Sequence, residues 1–241
     1  MPRFYCPQPL VAGQSVELPE AVAHHVYVIR LNVGDELSLF NGDGREYLAQ
    51  LNSVDKRRAS ACVLAGVERD VELPFEVSLA QALPEASKMD WIIEKAVEMG
   101  VAAIEPLAAQ RCVVRLSGER ADKRLAHWQA VAVAACEQSG RNRLARLAPV
   151  RDFPGWLGQP APHQRILLTP RGGQSLAEWA RGQAPQAVTV MIGPEGGFTL
   201  QEEDAAIAGG ALALSMGPRI LRTETAGIAA VAALNALWSG M

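Results

Sequence analysis

The first 72 residues alternate apolar and polar positions in short runs that tight turns separate. Residues 36–40 and 47–51 repeat with a period of two, which predicts strands that bury one face. Between them, residues 41–44 read Asn-Gly-Asp-Gly, a hairpin signal because Asn and Gly tolerate positive φ. A helix is predicted over 20–30. Short strands joined by tight turns indicate a small β-barrel.

From about residue 73 the pattern changes to apolar runs that alternate with helical periodicity. Strands are predicted at 77–80, from Ile104, and at 165–169, 188–192 and 211–214, and helices at 87–99, 121–138, 200–208 and 224–238. Continuous apolar runs are typical of parallel strands covered on both faces. We therefore expect a β-rich domain over 1–72 and an α/β domain with a mainly parallel sheet over 73–241.

Three helix starts carry recognisable capping residues. Ser87 with Asp90 has capping-box spacing, and so has Thr199 with Glu202. Thr223 is predicted to cap the closing helix. These positions set the expected starts of the helices.

The composition is that of an ordinary globular protein, with 49% hydrophobic and 20% charged residues. The four cysteines are scattered, without the spacing of a metal site, and no apolar run is long enough to span a bilayer. We therefore expect a cytoplasmic protein that binds neither a metal nor a membrane.

Charge is unevenly distributed along the chain. The formal net charge is −3, and residues 1–72 carry 7 Lys/Arg against 10 Asp/Glu. Residues 111–151 carry 9 Lys/Arg against 3 Asp/Glu. The basic segment either forms a patch that binds phosphates or is a solvated helix face followed by an arginine-rich loop.

Three loops that follow predicted strands have unusual sequences, at 168–173, 192–198 and 215–225. Ligands of parallel α/β sheets bind beyond the carboxyl ends of the strands. The second loop, Ile-Gly-Pro-Glu-Gly-Gly-Phe, could present bare backbone to a nucleoside or could be only a tight turn. It matches neither the phosphate-binding loop nor the glycine pattern of dinucleotide folds, which disfavours a dehydrogenase.

The sequence contains no nucleophile with an adjacent base. No Ser-His-Asp order or paired carboxylates stand out, and His127 has no visible partner. An enzyme of this kind would act by positioning two substrates.

Several segments together resemble the uridine-N3 methyltransferases of 16S ribosomal RNA, the RsmE type. They are 192–198 (IGPEGGF), 221–226 (LRTETA), 135–141 (ACEQSGR), 94–101, and 25–44 in the N-terminal part. The resemblance covers essentially the whole chain.

The resemblance implies a fold that no periodicity would suggest. Members of this family have a SPOUT-type methyltransferase domain, in which the C-terminal chain forms a trefoil knot, preceded by a PUA-like β-barrel that helps to hold RNA. They work as homodimers, and the closing helix, rich in Ala and Leu up to Trp238, is a candidate contributor to the dimer interface. The implied activity is transfer of a methyl group from S-adenosylmethionine to N3 of a uridine in 16S rRNA of the small ribosomal subunit.

The resemblance also implies functional residues. Contacts with S-adenosylmethionine fall on Leu168, Thr169, Ile192, Gly193, Pro194, Glu195, Gly196, Gly197, Leu214, Met216, Gly217, Ile220 and Leu221. RNA contacts fall on Arg111, Arg115, Arg141 and Arg143. Arg222 and Glu137 are the candidate catalytic residues, with Glu137 or Glu224 as alternatives for accepting the uridine proton.

One other function stays open on the sequence. The chain could be an RNA-binding or assembly factor that uses the barrel and the basic segment without chemistry. Such a factor would tolerate side chains at Gly193, Gly196 and Gly197, whereas the enzyme would lose its methyl donor.

Overall fold

The computed structural model describes residues 1–85 and 87–239. The chain forms two compact units. The first comprises Met1–Glu72 together with Cys136–Leu144, and the second comprises Leu73–Ala135 and Ala145–Met241. The segment 136–144 thus joins the first unit although it lies in the middle of the second one along the chain.

The first unit is a mostly antiparallel sheet with one helix. Its elements are β1 (Arg3–Tyr5), β2 (Ser15–Glu17), α1 (Glu20–Val28), β3 (Glu36–Phe40), β4 (Arg45–Val54) and β5 (Ala59–Glu68). The strand order is β1-β3-β4-β5-β2, in which only the β1–β3 pair is parallel. In β4 the buried residues Tyr47, Ala49 and Leu51 alternate with exposed ones, as the period of two predicts.

The segment 136–144 is fixed in the first unit by buried polar contacts. The Arg3 guanidinium donates to the Arg141 carbonyl and to Asn142 Oδ1, both at 2.6 Å. The Asn142 amide donates to the Arg69 carbonyl at 2.8 Å. The Arg141 side chain is only 4% exposed and forms an ion pair with Glu72. This motif therefore stabilises the fold of the first unit.

The second unit contains an eight-stranded sheet in which every pairing is parallel. Its strands are β6 (Val77–Ala82), β7 (Ala103–Ala108), β8 (Arg146–Leu147), β9 (Arg151–Asp152), β10 (Gln164–Leu168), β11 (Gln174–Ser175), β12 (Val188–Ile192) and β13 (Leu212–Ser215). The order is β11-β13-β10-β12-β6-β7-β8, with β9 also on β7. The predicted parallel α/β sheet is confirmed.

Six further helices accompany this sheet. They are α2 (Lys88–Glu98), α3 (Gly118–Ser139), whose last turn belongs to the first unit, α4 (Phe153–Leu157), α5 (Leu176–Arg181), α6 (Leu200–Ala208) and α7 (Thr223–Trp238). The apolar side of α7 packs on α2, α5 and β12. No helix in the described part of the chain has the length and apolar character needed to cross a membrane.

The predicted helix caps have different outcomes. The capping box of Thr199 and Glu202 is confirmed. The capping box predicted for Ser87 and Asp90 is wrong: Ser87 makes no cap hydrogen bond, and the Asp90 carboxylate is hydrogen-bonded to Trp128 Nε1 and His127 Nε2. The cap predicted at Thr223 is also wrong, since α7 begins at that residue.

The contribution of the closing helix to a dimer interface stays a prediction, but its Trp238 side chain packs inside the chain. Its ring packs against Phe75 and Trp179 at centroid distances of 5.0 and 5.7 Å. Its Nε1 donates to the Ala180 carbonyl, and the residue is 9% exposed. These contacts use the ring within the chain itself.

The buried ion pair predicts a measurable loss of stability. Replacing Glu72 by Ala leaves the Arg141 guanidinium buried without this carboxylate, and we expect a loss on the order of 3 kcal/mol. Glu76→Ala is the matched control, because its partner Arg146 is 72% exposed and such pairs contribute at most about 1 kcal/mol. Urea unfolding followed by circular dichroism measures both, and equal losses would contradict a structural role for Arg141.

Candidate active site

Three loops meet at one edge of the parallel sheet. Strands β13, β10 and β12 are neighbours, so the loops that leave Leu168, Ile192 and Ser215 emerge side by side. The carboxyl edge of a parallel sheet is where ligands bind in such folds. The structure therefore brings together the three loops that the sequence singled out.

The loops enclose a cavity of about 370 Å³, within the range of small-molecule sites. It is lined by Leu168, Thr169, Pro170, Ile192, Gly193, Pro194, Glu195, Gly197, Met216, Gly217, Arg219, Ile220, Leu221, Arg222, Thr223 and Ala226. Of the residues predicted to contact the methyl donor, only Leu214 and Gly196 are not in this lining. The mixture of apolar side chains, loop backbone and a few charges suits a nucleoside-like ligand.

Two glycines let backbone segments pack directly on one another. A Cβ on Gly193 would lie 2.8 Å from the Phe198 nitrogen and 3.0 Å from Gly197 atoms. A Cβ on Gly172 would lie 2.5 Å from the Leu214 carbonyl carbon. Backbone atoms cannot move aside as a side chain can, so each position requires glycine. At Gly196, by contrast, a Cβ would meet only the flexible Arg111 side chain.

A chain of hydrogen bonds ties the cavity wall to the sheet. Gln81 is the last residue but one of β6 and pairs with Ile192 of β12, and its Nε2 donates to Thr223 Oγ1 at 2.9 Å. The Thr223 hydroxyl donates in turn to the Gly193 carbonyl at 2.6 Å. Because Gln81 and Thr223 are buried, these bonds hold the start of α7 against the second loop without competition from water.

The first loop is anchored by a buried carboxylate on α6. Glu203 accepts a hydrogen bond from Thr169 Oγ1 at 3.0 Å and from the Arg171 guanidinium at 2.8 Å. Glu203 is 8% exposed and Thr169 is 4% exposed. The loop after β10 is therefore held to α6 through both the Thr169 hydroxyl and the Arg171 guanidinium.

Arg111 and Arg115 hold loop backbone. Arg111 donates to the Gly196 carbonyl at 2.7 Å and more weakly to the Phe198 carbonyl. Arg115 donates to the Ala109 and Gln110 carbonyls at 3.2 and 3.0 Å. Arg111 and Arg115 are both exposed residues, which is compatible with contacts to RNA. Their role in RNA binding stays a prediction.

A lysine that the sequence analysis did not select contacts the cavity residue Glu195. Lys88 begins α2, and its Nζ donates to Glu195 Oε1 at 2.7 Å. The same carboxylate oxygen accepts the Glu85 N–H at 3.0 Å. Glu224 Oε2 lies 4.0 Å from the Lys88 Nζ and has no hydrogen-bond partner among the described residues. The Lys88 ammonium group on α2 thus lies between a carboxylate of the second loop and a carboxylate of α7.

The electrostatics of the Lys88–Glu195 pair favour the charged form of both side chains. Burial acts to raise the pKa of Glu195, but the hydrogen bonds from Lys88 and the Glu85 N–H outweigh it and hold the pKa below its usual value. The bond to Glu195 raises the pKa of Lys88. The pairing is therefore lost only when the pH falls through the lowered Glu195 pKa or rises through the raised Lys88 pKa.

Of the two candidate catalytic residues, Arg222 lies in the cavity lining and Glu137 does not. Arg222 lines the cavity, is exposed, and its guanidinium makes no hydrogen bond or ion pair with a described residue. Glu137 lies in the first unit, where its carboxylate accepts the Tyr5 N–H at 2.9 Å and burial raises its pKa. Glu137 is not in the cavity lining, and its hydrogen bond gives it a structural task at β1.

Of the two RNA contacts predicted on the segment 136–144, one is buried and the other is exposed. Arg141 is 3% exposed and paired with Glu72, so the structure does not place it on a surface that RNA could touch. Arg143 is exposed, and its guanidinium lies against Gly44, where a Cβ would be 2.7 Å from its Nη2. The sequence could not distinguish these two arginines, because only the fold buries one of them.

Comparison with known proteins identifies the family. Residues 71–235 match the RNA methyltransferase domain family, and residues 18–62 match the RNA methyltransferase PUA domain family. The chain is 34% identical over 223 residues to the ribosomal RNA small subunit methyltransferase E of Bacillus subtilis, covering 90% of this chain and 87% of that protein. The chain belongs to the ribosomal RNA small subunit methyltransferase E family.

Solved structures in this family superpose on the chain over nearly its full length. The enzyme from Neisseria gonorrhoeae, solved with S-adenosylmethionine bound, is 39% identical and has a TM-score of 0.91, covering 99% of this chain and 98% of that one. A methyltransferase of Legionella pneumophila, also solved with S-adenosylmethionine, is 34% identical with a TM-score of 0.92, covering 97% and 96%. The PUA and parallel α/β parts that the sequence predicted are confirmed.

Gly193 provides the sharpest test of the cavity. We expect Gly193→Ala to weaken S-adenosylmethionine binding at least about tenfold, since the added Cβ displaces the loop backbone. Gly173→Ala is the matched control, because nothing lies within 4 Å of a Cβ there. Isothermal titration calorimetry measures both affinities, and equal affinities for the two variants would remove the second loop from the site.

The contact between Lys88 and Glu195 leads to a second prediction, which concerns the affinity for S-adenosylmethionine. Lys88→Met removes the cation that holds Glu195, so we expect S-adenosylmethionine affinity to fall several-fold. Lys95→Met is the control, since Lys95 lies on the same helix and, among the described residues, pairs with Glu94 and Glu98 and not with a cavity residue. In the wild type Lys88 and Glu195 both stay charged between about pH 6 and pH 9, so this pair should give no pH dependence of S-adenosylmethionine affinity in that range. A steep change of affinity in that range would contradict the assigned charges.

Proposed function

We propose that the chain transfers a methyl group from S-adenosylmethionine to N3 of a uridine in the 16S rRNA of the small ribosomal subunit. The observation that carries the proposal is the cavity between the three loops, whose wall needs glycine at position 193. Membership of the methyltransferase E family, and relatives solved with S-adenosylmethionine, support it.

The residues of the cavity fit S-adenosylmethionine. Exposed backbone of the glycine loops suits the edge of an adenine, and Leu168, Ile192 and Leu221 offer apolar contact to its ring. The ionised Glu195 is matched to a ligand that carries positive charge. When bound, S-adenosylmethionine supplies a methyl group on a positively charged sulfur.

The chain's own residues have to activate the uridine. N3 of uridine is an imide nitrogen that bears a proton, and it becomes a good nucleophile only when that proton leaves. The Arg222 guanidinium has no protein partner among the described residues and can stabilise the negative charge on a uracil carbonyl. Of the carboxylates left open by the sequence, Glu224 has an unpartnered oxygen beside Lys88, whereas Glu137 is bound to Tyr5. Neither carboxylate is in the cavity lining, but Glu224 follows the lining residue Thr223 directly, so of the two we propose Glu224 as the candidate proton acceptor.

Other features that the family implies remain proposals. They are the trefoil knot, a division into domains at residues 72 and 73, the cytoplasmic location, and RNA contacts by Arg111, Arg115 and Arg143. Arg141 is left out of the RNA contacts because it is buried. The described residues contain no cluster of His, Cys, Asp and Glu that could hold a metal.

Transfer of label tests the function against the non-catalytic alternative. We would incubate the chain with small and large subunits from cells that lack its gene, using S-adenosylmethionine labelled in the methyl group. The proposal predicts label in 16S rRNA alone. An RNA-binding factor without chemistry predicts RNA binding with no incorporation of label.

Arg222 should affect the chemical step. Arg222→Lys keeps the charge but loses the planar fork, and we expect the single-turnover methylation rate to fall about 10- to 1000-fold. The affinity for S-adenosylmethionine should change little. Arg181→Lys, on the exposed end of α5, serves as a control. A rate equal to that of the wild type would mean that Arg222 plays no part in the reaction.

The homodimer is proposed from the family and from exposed apolar side chains. Ile220, on the third loop, is 85% exposed, and Trp91 on α2 is 44% exposed. Burial of such residues in a subunit interface would remove them from water. Light scattering should give twice the chain mass of 25.8 kDa at micromolar concentration. A monomer that still methylates RNA would contradict this proposal.

A further inference from the structure

The second loop, residues 192–198, contacts more than the cavity. Residues 192–195 and Gly197 line the cavity, whereas Gly196 does not. The Gly196 carbonyl instead accepts a hydrogen bond from the guanidinium of Arg111, which is not in the cavity lining either. The loop is therefore held from outside the cavity by a side chain that need not touch a ligand inside it.

The Arg111 side chain lies along this outer edge of the loop. Its Nη1 donates to the Gly196 carbonyl at 2.7 Å and to the Phe198 carbonyl at 3.4 Å. Its stem packs on Gly196, where a Cβ would lie 3.3 Å from the Arg111 Cδ. One nitrogen thus holds both carbonyls that flank Gly197, the residue with φ 67° at which the loop turns.

The backbone that carries Arg111 is fixed on the same side of the loop. The Gln110 N–H donates to Glu202 Oε1 at 2.8 Å. The other oxygen of Glu202 accepts the N–H and the hydroxyl of Thr199 in the capping box of α6. Arg115 binds two carbonyls of its own segment. The base of the Arg111 side chain is therefore held near the second loop, so that the contact with Gly196 depends on the side chain alone.

The Arg111 guanidinium keeps donors for a ligand. An arginine has five N–H groups in a planar fork, and the two bonds of Arg111 to loop carbonyls both come from Nη1. Its Nε and Nη2 donate to no residue within 1–85 or 87–239, and Arg111 is exposed. The edge formed by Nε and Nη2 is the one that binds two oxygens of a phosphate side by side.

An anion on that edge would change the contact with the loop. The hydrogen bond of an exposed arginine competes with water, and it also restricts a long side chain that otherwise samples many rotamers. A phosphate on Nε and Nη2 immobilises the guanidinium, so the bond from Nη1 to the Gly196 carbonyl no longer carries that entropic cost by itself. The second loop is then more firmly fixed around the cavity.

We propose that Arg111 is a positioning residue that couples the binding of RNA to the binding of the methyl donor. A phosphate of the RNA fixes the guanidinium, which in turn holds the second loop in the conformation that binds S-adenosylmethionine. By thermodynamic reciprocity, bound donor strengthens RNA binding by the same factor. The inference rests on the proposed function and deepens it, because it links a contact with one substrate to the affinity for the other.

The coupling factor is the ratio of donor affinities with and without RNA. We would measure it by equilibrium dialysis of a labelled S-adenosylmethionine analogue that carries a charged amine but no transferable methyl group. The full chain is used alone and with saturating small ribosomal subunits from cells that lack its gene. The subunits should raise the affinity of the wild type about 5- to 30-fold, since the rotamer freedom of one arginine limits the gain. Arg111→Met should reduce the coupling factor to about 1.

Two further variants separate coupling from charge. Arg124→Met is the matched control, because Arg124 is an exposed arginine of the same basic segment that lies on α3. It removes the same charge and should keep the coupling factor of the wild type. Arg111→Lys keeps the charge but loses the planar fork, so it should lose most of the coupling. Melting temperatures check that each variant is folded.

The outcomes distinguish a coupling residue from a static brace. If Arg111→Met lowers the donor affinity equally with and without subunits, Arg111 only stabilises the loop and the proposal is overturned. A wild type whose donor affinity does not respond to subunits, or an Arg111→Lys variant with full coupling, would overturn it as well. In each case the proposed function still stands if label enters 16S rRNA, and it fails if no label enters.

Discussion

The hydrogen bond from the Thr223 hydroxyl to the Gly193 carbonyl joins the parts of the chain that make the cavity. Gln81 donates to the same hydroxyl, so strand β6, the loop after β12 and the start of α7 share one buried junction. The junction forms only because Gly193 lacks a side chain and its loop can lie on the backbone of Gly197 and Phe198. Without this contact the wall of the cavity would have no fixed position relative to the sheet.

The arginines of the chain divide into two groups with different tasks. Arg141 and Arg171 bind protein carboxylates, and they fix the segment 136–144 and the first loop. Arg222 lines the cavity and makes no hydrogen bond or ion pair with a described residue. An arginine whose donors are satisfied within the protein has little left for a ligand, whereas a free guanidinium can bind phosphate or carbonyl oxygen.

Much of the fold could be predicted from the sequence, because a strong hydrophobic periodicity indicates a helix or strand without knowledge of its tertiary contacts. Strands β3, β4, β10 and β12 and the helix opened by Thr199 lie where the pattern predicted them. The strands β1 and β2 have three residues each and no periodicity to detect. The three loops were predicted together from their positions after parallel strands. Arg141, Glu137 and Lys88 were misjudged or missed because their tasks depend on partners distant along the chain, namely Glu72, Tyr5 and Glu195.

The central claim is that the three-loop cavity presents a methyl donor to N3 of a uridine. It is tested most directly by digesting 16S rRNA after reaction with the chain and identifying the methylated nucleoside by mass spectrometry. The account predicts a single new product, 3-methyluridine, that appears only with S-adenosylmethionine and an intact cavity. A methyl group on a ribose hydroxyl, on uracil C5 or on another base would contradict it.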